Sequence, residues 1–165
     1  MHTLDELIAD SPIFAGLAGE HLELVAGCAS NTGFDAGECI FREGEPADVF
    51  YLVRHGLVAL SLHVPNRGEM TMETIGPGEV VGWSWLVPPY RWHFAGSAVE
   101  PVRAVQFDAA CLREKCEHDA VLCRELLRRF SNVLVARLEA MRVQLTDVYG
   151  DSVAVVPPLA GSWSR

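Results

Sequence analysis

The sequence predicts a mainly β domain with flanking helices: short N-terminal helices, a compact all-β unit at residues 31–108 (called the β-roll below), and a long C-terminal helix. Two observations lead to this prediction. Short apolar runs separated by glycines fill residues 31–108, and an apolar period of three or four residues runs through residues 109–148. A chain of 165 residues can bury a core without disulfides or metal ions.

Residues 3–29 are expected to form short helices ahead of the β-roll. Apolar residues recur at helical spacing from Leu4, the Ser11-Pro12 pair interrupts them, and a second apolar group follows. We therefore expect two helical pieces joined by a turn.

Residues 31–108 are expected to form the β-roll. The runs CIFR, VFYLVRHG, LVALSLHV, MTMETI, EVVGW and VRAVQF are apolar or alternating, and glycines stand at their junctions. Runs of this length with such punctuation are typical of strands in a compact all-β unit.

Residues 109–148 are expected to be helical and residues 149–165 to form a flexible tail. The helical stripe consists of Leu127, Phe130, Leu134, Leu138, Met141, Leu145 and Val148. A single helix cannot bury such a stripe against itself, so the stripe must pack on the β-roll or pair with a second copy. We expect a homodimer whose interface contains Leu127, Phe130, Leu134, Leu138 and Met141.

Charge and cysteine usage narrow the possible partners. Residues 1–108 contain five Arg, no Lys and 15 acidic residues. Because nucleic-acid affinity depends on basic side chains that neutralise phosphates, we expect no direct nucleic-acid binding.

The five cysteines form no CxxC pair, and the N-terminus has no secretory signal pattern, so we expect a cytoplasmic protein with reduced thiols. No apolar run is long enough for a membrane span.

The segment GECIFREGEPADVFYLVRHGLVAL resembles the first half of the cyclic nucleotide-binding domain of catabolite-activator and fumarate-nitrate regulators (Crp/Fnr-like). The matching features are Gly37-Glu38, Glu43-Gly44-Glu45, Phe50 to Val53, and Gly56. The later segment IGPGEVVGW is similar to the strand and turn that open the phosphate-binding cassette of that family. This resemblance implies a β-roll of the double-stranded β-helix or jelly-roll type, followed by a helix through which such proteins dimerise.

The resemblance ends at the phosphate-binding cassette. There the family implies a Glu that accepts from the ribose hydroxyl, and an Arg followed by Ser or Thr that holds the cyclic phosphate. The Glu position is occupied by Trp83, and Trp92-His93 occupy the place of the Arg pair. Arg91 is displaced by one residue, which on a strand turns a side chain to the opposite face. We therefore expect that cyclic nucleotide binding is lost.

The cassette segment instead supplies the candidate pocket residues Gly82, Trp83, Ser84, Trp85, Arg91, Trp92 and His93. Three interpretations remain open for its aromatic residues. They could fill the former cavity, line a pocket for a different small ligand, or form a surface for a partner protein. The alternative function is a true sensor that binds cyclic AMP, cyclic GMP or another ligand through Arg91, with Ser84 or Ser97 supplying hydroxyl groups.

Other chemistry is not indicated by the sequence. The six histidines are not spaced as metal-ligand pairs, and the four N-terminal cysteines of cluster-binding relatives are absent, so we expect no metal and no cofactor. A redox or gas sensor using His93 or a cysteine is a further alternative. No nucleophile elbow, Walker loop or HExxH motif is present, so we expect no enzyme. The residues after 149 are too few for a helix-turn-helix DNA reader, which we also expect to be absent.

Overall fold

The computed structural model describes residues 3–149, with side chains described to residue 145. The predicted fold class, mainly β with flanking helices and a long C-terminal helix, is confirmed. The helices are α1 (Leu4–Ala9), α2 (Gly19–Ala26), α3 (Ala109–His118) and α4 (Ala120–Tyr149). The strands are β1 (Ala29–Phe34), β2 (Cys39–Phe41), β3 (Val49–His55), β4 (Val58–Val64), β5 (Gly68–Ile75), β6 (Val80–Val81), β7 (Ala95–Ala98) and β8 (Val102–Asp108).

The eight strands form two antiparallel sheets of four strands each. One sheet has the order β1-β8-β3-β6, and the other has the order β2-β7-β4-β5. In the first sheet, β8 pairs with β1 on one side and with β3 on the other. Strands β1 (ASNTGF) and β7 (AGSA) are absent from the apolar runs of the sequence because they contain few large apolar residues.

The β3 strand is buried on both faces. Phe50 faces the helices, where its ring stacks on Phe107 at 4.6 Å between centroids. The next residue, Tyr51, faces the opposite way and belongs to the apolar cluster that fills the roll. This alternation explains why VFYL is continuously apolar, since a strand covered on both faces needs no polar side.

Three turns between strands share one sequence pattern, x-x-Gly-Glu. In each, the glycine has a φ of +82° to +86° and the following glutamate accepts a hydrogen bond from the backbone N–H three residues earlier. The three glutamates are Glu38, Glu45 and Glu79, with N to Oε2 distances of 2.8, 3.0 and 2.7 Å respectively. Part of the acidic charge of the roll therefore satisfies backbone donors within its own turns.

The helical stretch expected over residues 109–148 consists of two helices. Asp119 separates α3 from α4, and its Oδ1 accepts from the N–H groups of Val121 and Leu122 at 3.0 and 2.9 Å. These bonds cap the first turn of α4. The Leu122 N–H contributes most to lowering the pKa of the Asp119 carboxyl, and His21 also lowers it. His21 of α2 contacts Asp119 Oδ2 at 3.1 Å and so connects α2 to this junction.

The expectation that all five cysteines are reduced thiols is wrong for two of them. Cys28, just before β1, and Cys111, in the first turn of α3, form a disulfide with a Cα–Cα distance of 5.9 Å. The two residues lie 83 positions apart, so their proximity is a product of the fold that local spacing cannot reveal. Cys39, Cys116 and Cys123 are free thiols.

Residues 1–131 form one compact unit, which contains the β-roll. Residues 132–165 form the second unit, and its described part is the C-terminal portion of α4. Apart from Tyr149, the tail predicted at residues 149–165 lies outside the described residues. Within the described part of the chain, no helix is both long and apolar enough to cross a bilayer.

Phe130 differs from the expectation that placed it in a dimer interface. Its side chain is 1% exposed, and its ring meets the rings of Phe50 and Trp85 edge-on, each at 5.2 Å between centroids. At Phe130, the apolar stripe of α4 therefore packs into the core of the β-roll unit. Phe130 is therefore a core residue and is not available to a second copy.

We predict that Phe130→Ala lowers the free energy of unfolding by about 3 to 5 kcal/mol, because it removes a buried ring and leaves a cavity. Val121→Ala is the control on the same helix, since Val121 is 48% exposed, and we expect a change within about 0.5 kcal/mol. Urea unfolding followed by circular dichroism measures both variants. Equal effects of the two substitutions would contradict the packing of Phe130 in the core.

Candidate functional site

The candidate site is the segment between β6 and β7, residues 82–94. It contains a short 3-10 helix (Ser84–Leu86) and a cis peptide bond between Pro88 and Pro89. After this turn the chain pairs with the loop that follows β2. Trp92 N–H donates to the Glu45 carbonyl at 2.9 Å, and the Trp92 carbonyl accepts from Gly44 N–H at 2.8 Å. The return of the segment is therefore held in a strand-like register.

This register places neighbouring side chains on opposite faces. Trp92 is buried in the roll, whereas Arg91 and His93 on either side of it are exposed. The Arg91 guanidinium donates through Nη1 to the Gly44 carbonyl at 2.7 Å. Arg91 therefore lies outside the roll and contacts the backbone of a turn.

Trp92 occupies the interior of the roll. Its ring stacks on Phe41 with 3.7 Å between centroids and an angle of 13° between the planes. Gly82 approaches the same ring so closely that a Cβ at this position would lie 2.7 Å from Trp92 Cη2. Gly82 also has a φ of +102°, which side chains rarely allow. The close contact with Trp92 and the positive φ therefore explain why position 82 is a glycine.

The tryptophans expected to form one cluster lie in separate environments. Trp85 is fully buried beneath the helices, where it stacks on Phe50 at 4.8 Å between centroids. Trp83 is half-buried and stacks on the imidazole of His93 at 4.7 Å. Trp92 belongs to neither contact. Trp85 and Trp92 fill different parts of the core, and only Trp83 lies beside the exposed candidate residues.

Ser84 and His93 form the polar contact of the segment. Ser84 Oγ lies 3.0 Å from His93 Nδ1, and Ser84 is 2% exposed while the histidine is exposed. The pair joins the 3-10 helix to the residue that follows Trp92. Of the seven candidate residues, the structure brings Trp83, Ser84 and His93 together and places Trp85 and Arg91 elsewhere.

Arg113 of α3 is a contact of this segment that the sequence analysis missed. Its guanidinium lies 4.5 Å from the centre of the Tyr90 ring and donates through Nη1 to the Trp85 carbonyl at 3.0 Å. Nη2 also lies 3.6 Å from a carboxylate oxygen of Asp48. No local pattern identifies Arg113, because its partners are more than 20 positions away along the chain.

The interior of the roll is apolar. Its buried members are Phe41, Ala47, Tyr51, Val53, Val58, Leu60, Ile75, Val81, Trp92, Ala98, Val102 and Ala104. None of these side chains carries a charge, and burial raises the pKa of the Tyr51 phenol to about 12. A buried anion needs a fixed cation and oriented donors to offset its desolvation. This cluster contains no charged side chain that could offset the desolvation of a phosphate.

Metal binding has no candidate among the described residues. Within residues 3–149, no group of three or more His, Cys, Asp or Glu side chains could hold a metal ion. The expectation of no cofactor stays a prediction.

Comparison with known proteins identifies similar chains. The family profile of the cyclic nucleotide-binding domain matches residues 32–119. A CRP-like cAMP-activated global transcriptional regulator from Mycobacterium tuberculosis is 27% identical over 145 residues, which cover 88% of this chain and 63% of the regulator. The cyclic AMP receptor protein of Thermus thermophilus is 35% identical over 90 residues, covering 54% of this chain and 42% of the receptor.

A solved structure matches this chain over a larger share of its own length than the two regulators do. A Geobacter metallireducens protein, provisionally described as a cyclic nucleotide-binding protein, is 30% identical with a TM-score of 0.75, covering 84% of this chain and 99% of that one. By contrast, this chain spans less than two thirds of the length of the two curated regulators. The activities of those whole proteins are therefore not transferred to it.

We predict that stability falls as pH rises above about 10, in part because Tyr51 must stay neutral when buried. An unfolded tyrosine ionises near pH 10, whereas the pKa of Tyr51 in the fold is about 12. Its contribution is fully present below pH 10 and is lost as pH rises through 12. Tyr51→Phe should therefore lose less stability than the wild type between about pH 9 and about pH 11. Urea unfolding at both pH values measures the difference.

Tyr90→Phe is the control for this prediction because Tyr90 is only half-buried. It should retain the pH dependence of the wild type. An identical pH dependence for Tyr51→Phe and the wild type would contradict the raised pKa.

Proposed function

Because this chain belongs to the cyclic nucleotide-binding domain family, we propose that it is a regulatory or protein-interaction module that does not bind a cyclic nucleotide. The observation that carries this proposal is the stack of Trp92 on Phe41 inside the roll, with Gly82 against the indole edge. A planar ligand entering the interior would have to displace a ring that is 6% exposed. Large buried aromatic area is costly to expose.

The position of Arg91 supports the same proposal. The resemblance implies an arginine that holds the cyclic phosphate, yet the guanidinium of Arg91 is exposed and donates to the Gly44 carbonyl. Moving the Arg91 side chain to the interior would require Trp92 to move outward, because the two side chains point to opposite faces. The ribose position is also altered, because Trp83 carries an N–H donor and no acceptor for a hydroxyl group.

The alternative is a sensor that binds cyclic AMP, cyclic GMP or another small ligand near the cassette segment. The observation that favours it is the Ser84–His93 contact beside the half-buried Trp83, which presents a polar group and an aromatic face together. A pocket of this kind needs only a few polar groups to orient a ligand. This alternative would use Arg91 as the phosphate ligand, with Ser84 or Ser97 nearby.

Calorimetric titration with cyclic AMP and cyclic GMP separates the two functions. We predict no binding heat for either nucleotide up to a concentration of about 1 mM. Binding with a Kd below about 10 µM that is lost in Arg91→Ala, and retained in the exposed-arginine control Arg103→Ala, would overturn the proposal in favour of the sensor.

We further propose that the module is a homodimer that pairs through α4. In the β-roll unit, Leu127 of α4 is 45% exposed. In the second unit, Leu138 is 61% exposed on the same helical face by spacing. Leu134 and Met141 of that face are half-buried, and Phe130 is excluded because it lies in the core. The proposed interface is therefore Leu127, Leu134, Leu138 and Met141.

Light scattering tests the dimer with a matched pair of variants. We predict a dimer at micromolar concentration, and a shift to monomer in Leu138→Glu, because a charge would be buried in the apolar contact. Val143→Glu is the control, since Val143 is also 61% exposed but lies on a different face of α4. A wild-type monomer, or equal dissociation in both variants, would contradict pairing through this face.

The remaining expectations stay predictions. They are the absence of an enzyme activity, the absence of a DNA reader, and the cytoplasmic location. A partner protein at the exposed turn of Val87, Pro88 and Pro89 is a prediction of the same kind.

A further inference from the structure

The only lysine of the chain lies beside its disulfide. A cavity of about 310 Å³ opens between α2 and the end of α3, and its lining includes one of the two cysteines of the disulfide. The lining residues are Leu24, Cys111, Glu114, Lys115, His118 and Asp119. Of the five that lie outside the disulfide, four carry ionisable side chains, and these include both acidic and basic groups.

The two cysteines of the disulfide differ in solvent exposure. Cys28 is 7% exposed, whereas Cys111 is partly exposed and faces the cavity. Thiol–disulfide exchange requires the attacking thiolate to approach one sulfur of the bond. An incoming thiol in the cavity would therefore reach Cys111 Sγ rather than Cys28 Sγ.

The charges around the cavity suit a small thiol with carboxylate and ammonium groups. Lys115 Nζ donates to the Leu24 carbonyl at 2.6 Å, and an ammonium has two further donors that a carboxylate could use. The Glu114 carboxylate is exposed on the same helix and is complementary to an ammonium. Because the chain has a net charge of -9, attraction for an anionic thiol must come from such a local cation.

We propose that this cavity binds low-molecular-weight thiols of the glutathione type and directs them to Cys111. The thiolate of the ligand attacks Cys111 Sγ, a new S–S bond forms, and the Cys28–Cys111 bond breaks. The electron pair goes to Cys28 Sγ, which leaves as a thiolate and takes a proton from water. A second thiol then attacks the mixed disulfide, giving the free Cys111 thiol and the oxidised dimer of the ligand. No other reductant is needed.

The free thiol of Cys116 does not replace the external ligand in this reaction. Burial, with Cys123 as a further cause, raises the pKa of the Cys116 thiol to about 12. Cys116 therefore stays protonated near neutral pH, and the thiolate is the nucleophile in exchange. Opening of the disulfide removes the covalent link between Cys28, just before β1, and the first turn of α3. Arg113, two residues after Cys111, contacts Trp85 and Tyr90 of the candidate site.

The first experiment locates the reaction. The full chain, oxidised beforehand with glutathione disulfide, is incubated with reduced glutathione under native conditions, quenched in acid and mapped by mass spectrometry. At early quench times we expect one newly added glutathionyl group, on Cys111, and a free thiol at Cys28; at late times both cysteines should be free thiols. An adduct on Cys28, reaction only after a denaturant is added, or five free thiols after the oxidation step would each overturn the proposal.

The second experiment tests recognition by the cavity. It compares the rate of disulfide opening by glutathione with the rate for uncharged 2-mercaptoethanol, so that the ratio cancels the intrinsic reactivity of the bond. Lys115→Gln should lower this ratio by about threefold to tenfold, and Lys115→Arg should restore most of it. Arg124→Gln is the control, because it removes the same charge at an exposed position outside the lining. An unchanged ratio in Lys115→Gln, or an equal fall in Arg124→Gln, would contradict the cavity as the binding site.

Discussion

The contact between Trp92, Phe41 and Gly82 determines what the inside of the β-roll can hold. The indole of Trp92 lies 3.7 Å from the Phe41 ring, and Gly82 leaves no room for a side chain on the other side. Because interiors are packed nearly as densely as organic crystals, a ring in this place excludes another planar group of similar size. The apolar residues around the stack belong to the same buried cluster.

The alternation of the same strand-like segment has a second effect. When Trp92 points inward, Arg91 and His93 must point outward, so the only arginine of the cassette segment is exposed. One residue of register therefore decides both that Trp92 fills the interior and that Arg91 lies outside it. These two changes depend on each other, and reversing one without the other would leave either a cavity or a charge in an apolar environment.

The sequence predicts those parts of the fold that depend on local periodicity and glycine punctuation. Strand β3 is found because both of its faces are apolar, whereas β1 and β7 are missed because edge position or small residues remove the pattern. The division of the C-terminal helix at Asp119 is also missed, since a single capping residue interrupts the chain without disturbing the apolar period. The candidate site is likewise only partly predictable from the sequence. The inward position of Trp92 agrees with the register argued from the sequence, but the separation of Trp85 from Trp92 depends on tertiary packing.

Helix α3 connects features that are distant in the sequence. Cys111 joins it to the start of β1, Arg113 to the candidate-site segment at residues 82–94, and Lys115 to the end of α2. If the interior of the roll holds no ligand, as proposed, a signal does not act on the cassette segment from within. A change at the outer face of α3 can still reach that segment, because Arg113 contacts both the Trp85 carbonyl and the Tyr90 ring. The structure therefore favours regulation from the helical side of the roll, where the ionisable groups and the disulfide lie together.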